Sequence, residues 1–182
     1  VMTDIEQKCR ICKKKDLSII LDYGKVALSD SFLNDITKVK EEKKFPLRLC
    51  FCNYCRHVQI DETLDPLLLF QNYVYETGTS KSVIVFAKEL TNTLLKCHRL
   101  VSLNSFPKVL EIASNDGTVL SLFQDKGCEI LGIDPAENIV KVANKDGVRS
   151  IAEFFNLKTA KNVLDKFGKW DLCIARNVMA HV

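Results

Sequence analysis

The sequence predicts an α/β protein in which a small zinc-ribbon-like module precedes a parallel sheet covered by helices. Two Cys-x-x-Cys pairs near the N-terminus indicate the module, and apolar strands that alternate with helical segments after residue 106 indicate the sheet. We expect the zinc module at residues 1–62, a linking segment at 63–105 and an incomplete doubly wound domain, holding its first four parallel strands, at 106–182.

The composition is that of an ordinary soluble protein, with 47% hydrophobic and 27% charged residues in a chain of 182. No apolar run approaches the ~20 residues that cross a bilayer. The N-terminus shows no secretory signal, so we expect a cytoplasmic protein with no membrane partner and with eight reduced cysteines. The formal charge of +3 falls to +1 once four thiolates and one Zn²⁺ are counted, which argues against a nucleic-acid partner.

The two Cys-x-x-Cys pairs predict a structural zinc site with Cys9, Cys12, Cys52 and Cys55 as ligands. Each pair can form a knuckle whose turn presents both sulfurs to one metal, and zinc accepts four thiolates with no open position. Cys50 and His57 are competing ligands. The pair at 52 and 55 is preferred because it alone repeats the spacing of the first pair.

The rest of the module is predicted to be a small antiparallel arrangement that supports the metal. Apolar runs predict strands at Leu17–Leu21, Phe45–Leu49 and Val58–Ile60. Asp22-Tyr23-Gly24 predicts a turn, and the charged stretch Thr37–Lys44 predicts an exposed loop.

The linking segment combines helical pattern with a polar cluster. Leu64–Phe70 has a helical pattern, and Tyr73–Ser80 gathers two tyrosines and several hydroxyls around a glycine. Such a cluster suits hydrogen bonding to a polyhydroxylated or phosphorylated ligand, and a loop packed between two domains has the same composition, so both interpretations stay open. Helical spacing predicts a helix at Lys81–Leu100, with Cys97 as a buried thiol and His98 as a surface imidazole.

The stretch from Val109 to Pro135 predicts a nucleoside-binding βαβ unit. A strand ending at Ile112 enters a turn of small and polar residues at 113–117, a helix follows at 118–126, and a second strand ends at Asp134. A carboxylate about twenty residues beyond such a turn suits ribose hydroxyls. Ala113 and Asn115 stand where a dinucleotide fingerprint has its first two glycines, and Gly117 matches the third.

The alternation of helices and strands continues beyond this unit. We expect helices at Glu137–Lys145 and Leu157–Phe167, each followed by a glycine, and strands at Val148–Ile151 and Trp170–Val178. Strands separated by helices in this way predict a parallel sheet with both faces covered.

Several motifs in this order resemble those of S-adenosylmethionine-dependent C-methyltransferases that act on nucleotide sugars. They are the paired Cys-x-x-Cys motifs, Leu21–Gly24 with Ala27–Phe32, Phe45-Pro46-Leu47, Tyr73–Tyr75 with Gly78–Ser80, Leu110–Thr118, Gly132–Ala136 and Asn177–Val182. The resemblance covers nearly the whole chain and implies the N-terminal portion of such an enzyme, with a truncated Rossmann-like class I methyltransferase domain.

The resemblance implies S-adenosylmethionine as cofactor and a keto nucleotide sugar of dTDP type as substrate, methylated at a carbon next to the keto group. The implied cofactor residues are Glu111, Ala113, Ser114, Asn115, Asp116, Gly117, Asp134, Pro135, Phe154 and Asn177. Among them the turn holds the amino-acid part of the cofactor, Asp134 meets the ribose, Phe154 flanks the adenine and Asn177 lies near the methionine moiety. The implied catalytic residues are Tyr73, Tyr75 and His181, which line the sugar pocket.

Two departures from the family matter. Ala113 replaces the usual glycine, and the family's Glu-His pair lies beyond the last residue, so the isolated chain is expected to be inactive and the general base is not identified. One alternative is a non-catalytic zinc-ribbon protein that binds nucleic acid or protein; another is an NAD-dependent sugar-modifying enzyme. The sequence predicts no oligomeric state.

Overall fold

The computed structural model describes residues 8–102 and 106–180, and the chain divides into two compact units, Val1–Leu69 and Phe70–Val182. The first unit holds an antiparallel sheet in the order β1-β2-β3, formed by β1 (Leu17–Ala27), β2 (Lys44–Cys52) and β3 (Val58–Ile60). The second unit holds a parallel sheet. Each unit is built around its own sheet, as the sequence predicts.

The predicted turn at Asp22–Gly24 is wrong, because these residues lie inside the continuous strand β1. The strand stays paired with β2 on both sides of an irregularity between Asp22 and Lys25. Gly24 has φ 72°, and its N–H donates to Asp22 Oδ1 at 2.7 Å. A left-handed glycine and an aspartate acceptor therefore produce a bulge at this point and not a chain reversal.

The predicted loop at 37–44 contains a turn of 3-10 helix, Ile36–Glu41. Asp35 caps it, since its Oδ1 accepts from the Thr37 N–H at 2.9 Å. The stretch is exposed throughout this helix, in agreement with the predicted solvent exposure.

The linking segment contains α1 (Pro66–Phe70), a short 3-10 turn at Thr77–Thr79 and the long helix α2 (Lys81–Val101). Cys97 is exposed and His98 is buried, so the sequence assignment of these two side chains is reversed. The buried face of α2 runs through Ala87, Thr91 and Leu95, and His98 continues it at helical spacing. Cys97 lies off this face.

The second unit contains four parallel strands in the order β6-β5-β4-β7. Their bounds are β4 (Lys108–Ile112), β5 (Glu129–Asp134), β6 (Ser150–Ala152) and β7 (Leu172–Ala175), and the crossovers are α3 (Thr118–Gln124), α4 (Glu137–Lys145) and α5 (Leu157–Phe167). The last strand is shorter than predicted. Before it, the Asp171 side chain accepts from the Lys108 N–H at 2.8 Å, and after it the chain turns through left-handed Asn177.

Both faces of the parallel sheet are covered, as predicted. One face packs Val109, Ile130 and Ile174 against α2, α3 and α4, and the other packs Leu110, Leu131 and Ile133 against Val163 of α5. Because side chains alternate along a strand, Glu111, Asp134 and Arg176 lie on the same side of the sheet as Val109, Ile130 and Ile174. Chain order reverses between β4 and β7, so the carboxyl ends of β4, β5 and β7 meet at a topological switch point.

Among the residues that the structure describes, no helix has the length and apolar character needed to cross a membrane.

Candidate functional site

The turn between β4 and α3 adopts a left-handed backbone at alternate residues. Ala113, Asn115 and Gly117 have φ values of 55°, 52° and 79°. The two residues that replace fingerprint glycines therefore keep the backbone that glycine favours. A Cβ on Gly117 would lie 2.6 Å from Val148 Cγ1, so the third position also needs glycine for space.

Asp134 fixes this turn from the end of β5. Its Oδ2 accepts from the Asn115 N–H and its Oδ1 from the Ala136 N–H, both at 2.9 Å, and the side chain is buried. Burial raises the pKa of Asp134, while these two backbone N–H groups act in the opposite direction. The carboxylate thus has a structural role in the turn, and each oxygen keeps one lone pair for a ligand.

Glu111, in β4, and Arg176, just after β7, form an ion pair in which the carboxylate is buried and the arginine is partly exposed. Arg176 Nε donates to Glu111 Oε1 at 2.9 Å, and Arg176 Nη2 lies 2.9 Å from the same oxygen. Within residues 8–102 and 106–180, the second oxygen, Oε2, is buried and has no hydrogen-bond partner. Burial raises the pKa of Glu111 to about 7, although the charge and hydrogen bonds of Arg176 lower it. Sequence reasoning missed Arg176, which no local motif marks.

Side chains of the βαβ unit bind the backbone of the tyrosine segment. Asn115 Oδ1 accepts from the Thr77 N–H at 2.8 Å and from Thr77 Oγ1 at 3.1 Å, while its Nδ2 donates to the Tyr75 carbonyl at 2.9 Å. Asp116 Oδ2 accepts from the Gly78 N–H at 2.7 Å. The polar cluster at 73–80 is thus attached directly to the turn.

A second attachment lies at the start of α4. Asn138 Oδ1 accepts from the Tyr73 N–H at 3.1 Å, and its Nδ2 donates to the Tyr73 carbonyl at 2.7 Å. A single asparagine in a helical pattern gives no sequence signal for this pairing. Tyr75 is 44% exposed, so its ring is accessible to a ligand.

The other predicted site residues lie at or near the same edge, with one outside the described residues. Ser114 is buried and packs close to Gly132. A Cβ added at Gly132 would lie 2.4 Å from Ser114 Oγ, so this position needs glycine for space. Phe154 is partly buried after β6, and Asn177 is exposed after β7 with φ 53°. His181 lies outside the described residues.

The first unit brings the four predicted zinc ligands together. Cys9 Sγ lies 3.5 Å from Cys55 Sγ, Cys12 Sγ lies 3.6 Å from Cys52 Sγ, and all four sulfurs lie within 4.8 Å of one another. Zn–S bonds of about 2.3 Å in a tetrahedron place sulfurs about 3.8 Å apart, so this group fits zinc.

The two knuckles share one backbone geometry. The Lys13 N–H donates to the Cys9 carbonyl and the Arg56 N–H to the Cys52 carbonyl, both at 2.9 Å, and the two donors have φ 62° and 67°. Burial raises the pKa of Cys9, but hydrogen bonds from backbone N–H groups and from the neighbouring thiols outweigh it and lower this pKa to about 6. At Cys12 a backbone N–H lowers the pKa, but burial and the neighbouring thiols outweigh it and raise this pKa. A thiolate at neutral pH is the form that a metal binds.

Comparison with known proteins gives a family match for the first part of the chain. Residues 9–70 match a family described as "Putative zinc binding domain". The matched segment contains all four clustered cysteines. The C-methyltransferase NovU of Streptomyces niveus is 29% identical over 175 residues, which is 96% of this chain. The chain spans 41% of the length of that relative.

Three solved structures overlap this fold in part. The plantazolicin methyltransferase BpumL in complex with SAH is 20% identical, and the match covers 50% of this chain and 34% of that one with a TM-score of 0.39. The magnesium protoporphyrin IX methyltransferase ChlM of Synechocystis PCC 6803 with bound SAM is 15% identical, with 54% of this chain and 48% of that one covered and a TM-score of 0.39. A SAM-dependent methyltransferase of Agrobacterium tumefaciens is 14% identical, with 88% of this chain and 59% of that one covered and a TM-score of 0.41. The family match and the similarity to NovU confirm the resemblance inferred from the sequence. The chain is similar over nearly its whole length to a C-methyltransferase, and residues 9–70 match a zinc-binding domain.

Proposed function

We propose that this chain binds S-adenosylmethionine at the carboxyl edge of its parallel sheet and serves a C-methyltransferase that acts on a keto nucleotide sugar of dTDP type. The observation that carries the proposal is the turn at 113–117, whose alternate left-handed residues lie between two buried carboxylates at a topological switch point. The similarity to a C-methyltransferase supports the reaction class.

The residues at this edge have the chemistry to hold each part of the cofactor. Glu111 Oε2 is a buried acceptor that has no partner in the described chain, and it suits the ammonium of the amino-acid part. Asp134 is held rigidly and keeps lone pairs for the ribose hydroxyls. Phe154 would flank the adenine, and Asn177 would lie near the methionine moiety. Bound S-adenosylmethionine supplies an electrophilic methyl group.

The tyrosine segment would present the sugar. Hydrogen bonds from Asn115, Asp116 and Asn138 fix its backbone beside the turn, so Tyr73 and Tyr75 would be oriented toward a substrate before it binds. The resemblance also assigns His181 to this pocket, and that residue lies outside the described part of the chain. In this arrangement the chain positions the carbon that must lose a proton, and the four thiolates of the first unit hold a structural zinc ion.

A calorimetric titration tests cofactor binding. We expect S-adenosylhomocysteine to bind the wild-type chain, and Asp134→Ala to weaken it at least tenfold, since a lost hydrogen bond to a charged group costs about 1.5–3 kcal/mol. Asp165→Ala, an exposed aspartate on α5, is the matched control. Undiminished affinity in Asp134→Ala would refute the site assignment.

Because Asp134 also holds the turn, the test must separate loss of binding from loss of folding. The thermal unfolding of each variant is therefore measured without ligand by the fluorescence of Trp170, the single tryptophan of the chain. A nicotinamide dinucleotide that raises the unfolding temperature when S-adenosylhomocysteine does not would favour an NAD-dependent enzyme. Steeply salt-dependent binding of oligonucleotides would favour a non-catalytic ribbon protein. A cytoplasmic location stays a prediction from the sequence.

A further inference from the structure

We propose that Arg176 is a positioning residue that holds one carboxylate oxygen of Glu111 and leaves the other aimed at the cofactor, so that Glu111 can accept the ammonium group of the amino-acid part. This inference rests on the proposed function of the site. Nothing in the sequence singles out Arg176, and the assignment comes from its contact with a residue 65 positions away.

The geometry of the pair is asymmetric. Arg176 Nε donates to Oε1 and Nη2 lies 2.9 Å from the same oxygen, so the guanidinium does not bridge the two carboxylate oxygens. The Glu111 side chain is fully buried, and Oε2 has no hydrogen-bond partner within the described chain. A buried carboxylate oxygen without a donor is costly, and a cationic donor from a ligand would remove that cost.

The electrostatic surroundings show why an arginine is needed here. The charged groups that act on Glu111 are Arg176 after β7, Asp116 in the turn and Asp134 at the end of β5. Burial and the two aspartates favour the protonated acid, and Arg176 alone among these groups favours the carboxylate. Since the pKa of Glu111 is about 7 with Arg176 in place, loss of Arg176 would raise this pKa further and favour the protonated acid at neutral pH.

The test compares two ligands by calorimetry on the 182-residue chain between pH 6 and 8. S-adenosylhomocysteine carries the ammonium group, and 5′-methylthioadenosine lacks the whole amino-acid part. We expect Arg176→Met to weaken the binding of S-adenosylhomocysteine about tenfold at pH 7, since loss of a charge-assisted hydrogen bond lowers affinity by at least that factor. The loss should shrink between pH 7 and pH 8, because a larger fraction of Glu111 is ionised at the higher pH. Affinity for 5′-methylthioadenosine should change less than about twofold.

Two further variants separate positioning from folding. Glu111→Gln keeps the shape without the charge, and we expect it to weaken S-adenosylhomocysteine with no dependence on pH. Adding Arg176→Met to Glu111→Gln should then weaken binding no further, because Arg176 acts through Glu111. Arg149→Met is the matched control, an exposed arginine of the same unit that stacks on Phe167.

An equal loss of both ligands in Arg176→Met, or a loss of the same size in the Glu111→Gln background, would overturn the inference. If neither ligand binds the wild-type chain, the proposed function itself fails. If both bind and Arg176→Met behaves like the wild type, only the role of Arg176 is refuted.

Discussion

At the scale of single residues, the turn after β4 shows that backbone conformation can persist where the expected residue type does not. Ala113 and Asn115 have left-handed backbones at positions where the fingerprint has glycines. Asparagine tolerates this conformation better than other residues, whereas alanine is strained in it by about 1–2 kcal/mol. The strain at Ala113 therefore lies directly in the turn that the proposed cofactor would contact.

We expect Ala113→Gly to stabilise the second unit by about 1 kcal/mol, since glycine adopts a positive φ without steric strain. Urea unfolding monitored by Trp170 fluorescence measures the change. Ala160→Gly, within helix α5, should instead destabilise by about 1 kcal/mol because glycine is a poor helix former. Equal destabilisation by both substitutions would contradict the left-handed assignment of Ala113.

Sequence reasoning identified the turn and the closing carboxylate but missed most of their partners. The position of Asp134 could be singled out because a carboxylate 19 residues beyond Asn115 fits a local spacing rule, while its contact with a ribose stays a prediction. Arg176 and Asn138 lie 65 residues from their partners Glu111 and Tyr73, and no local rule relates positions so far apart. Such pairs become visible only once the strand order is known.

At the scale of elements, the tyrosine segment illustrates how an irregular stretch can be fixed by neighbouring secondary structure. Residues 73–80 contain only one short 3-10 turn, yet asparagines from the turn and from α4 satisfy backbone groups of the segment at both ends. The sequence left open whether this cluster meets a ligand or packs as a loop. The structure shows that it packs against the turn, and contact with a ligand stays a prediction.

We expect Asn138→Ala to increase amide hydrogen exchange at Tyr73 about fivefold, because loss of a hydrogen bond lowers the free energy of opening this segment by roughly 1 kcal/mol. Exchange at Thr77, which is held by Asn115, should change much less. The control is Asn162→Ala, an exposed asparagine on α5. Unchanged exchange at Tyr73 would show that Asn138 does not hold the segment.

Element bounds could be predicted where a glycine or a charge marks them. Gly127, Gly147 and Gly168 are all left-handed and follow α3, α4 and α5, as helix-stop signals predict. The turn at 22–24 was wrong because an aspartate and a glycine mark a bulge and a reversal equally well. The predicted burial of Cys97 and exposure of His98 were wrong because the prediction followed residue type and not the position of each residue around helix α2.

At the scale of the whole molecule, the chain combines two units whose sources of stability differ. The second unit has an apolar core on both faces of its sheet. Within residues 8–69, the first unit has three strands and many exposed side chains, so the metal must supply much of its folding free energy. Apparent binding free energies of structural zinc, about 10–16 kcal/mol, are sufficient for that role.

We expect the chain to bind one zinc ion, and removal of that ion by a strong chelator to abolish hydrogen-exchange protection in β1, β2 and β3. Cys9→Ser should lower the zinc content and protection together, since a structural site tolerates no missing thiolate. Cys97→Ser is the control, because Cys97 is exposed and outside the cluster. Full protection after chelation would refute a structural role for the metal.

The strand order also sets the sequence in which the second unit can fold during synthesis. The first partner of β4 is β5, which begins about twenty residues later, whereas Asp171 and β7 are 63 residues away from their contacts on Lys108 and Val109. Long-range pairing is slow because loop closure must precede the contact. On the ribosome, one edge of β4 therefore stays open until Leu172 emerges. That interval is when this chain is most exposed to mispairing and to capture by chaperones.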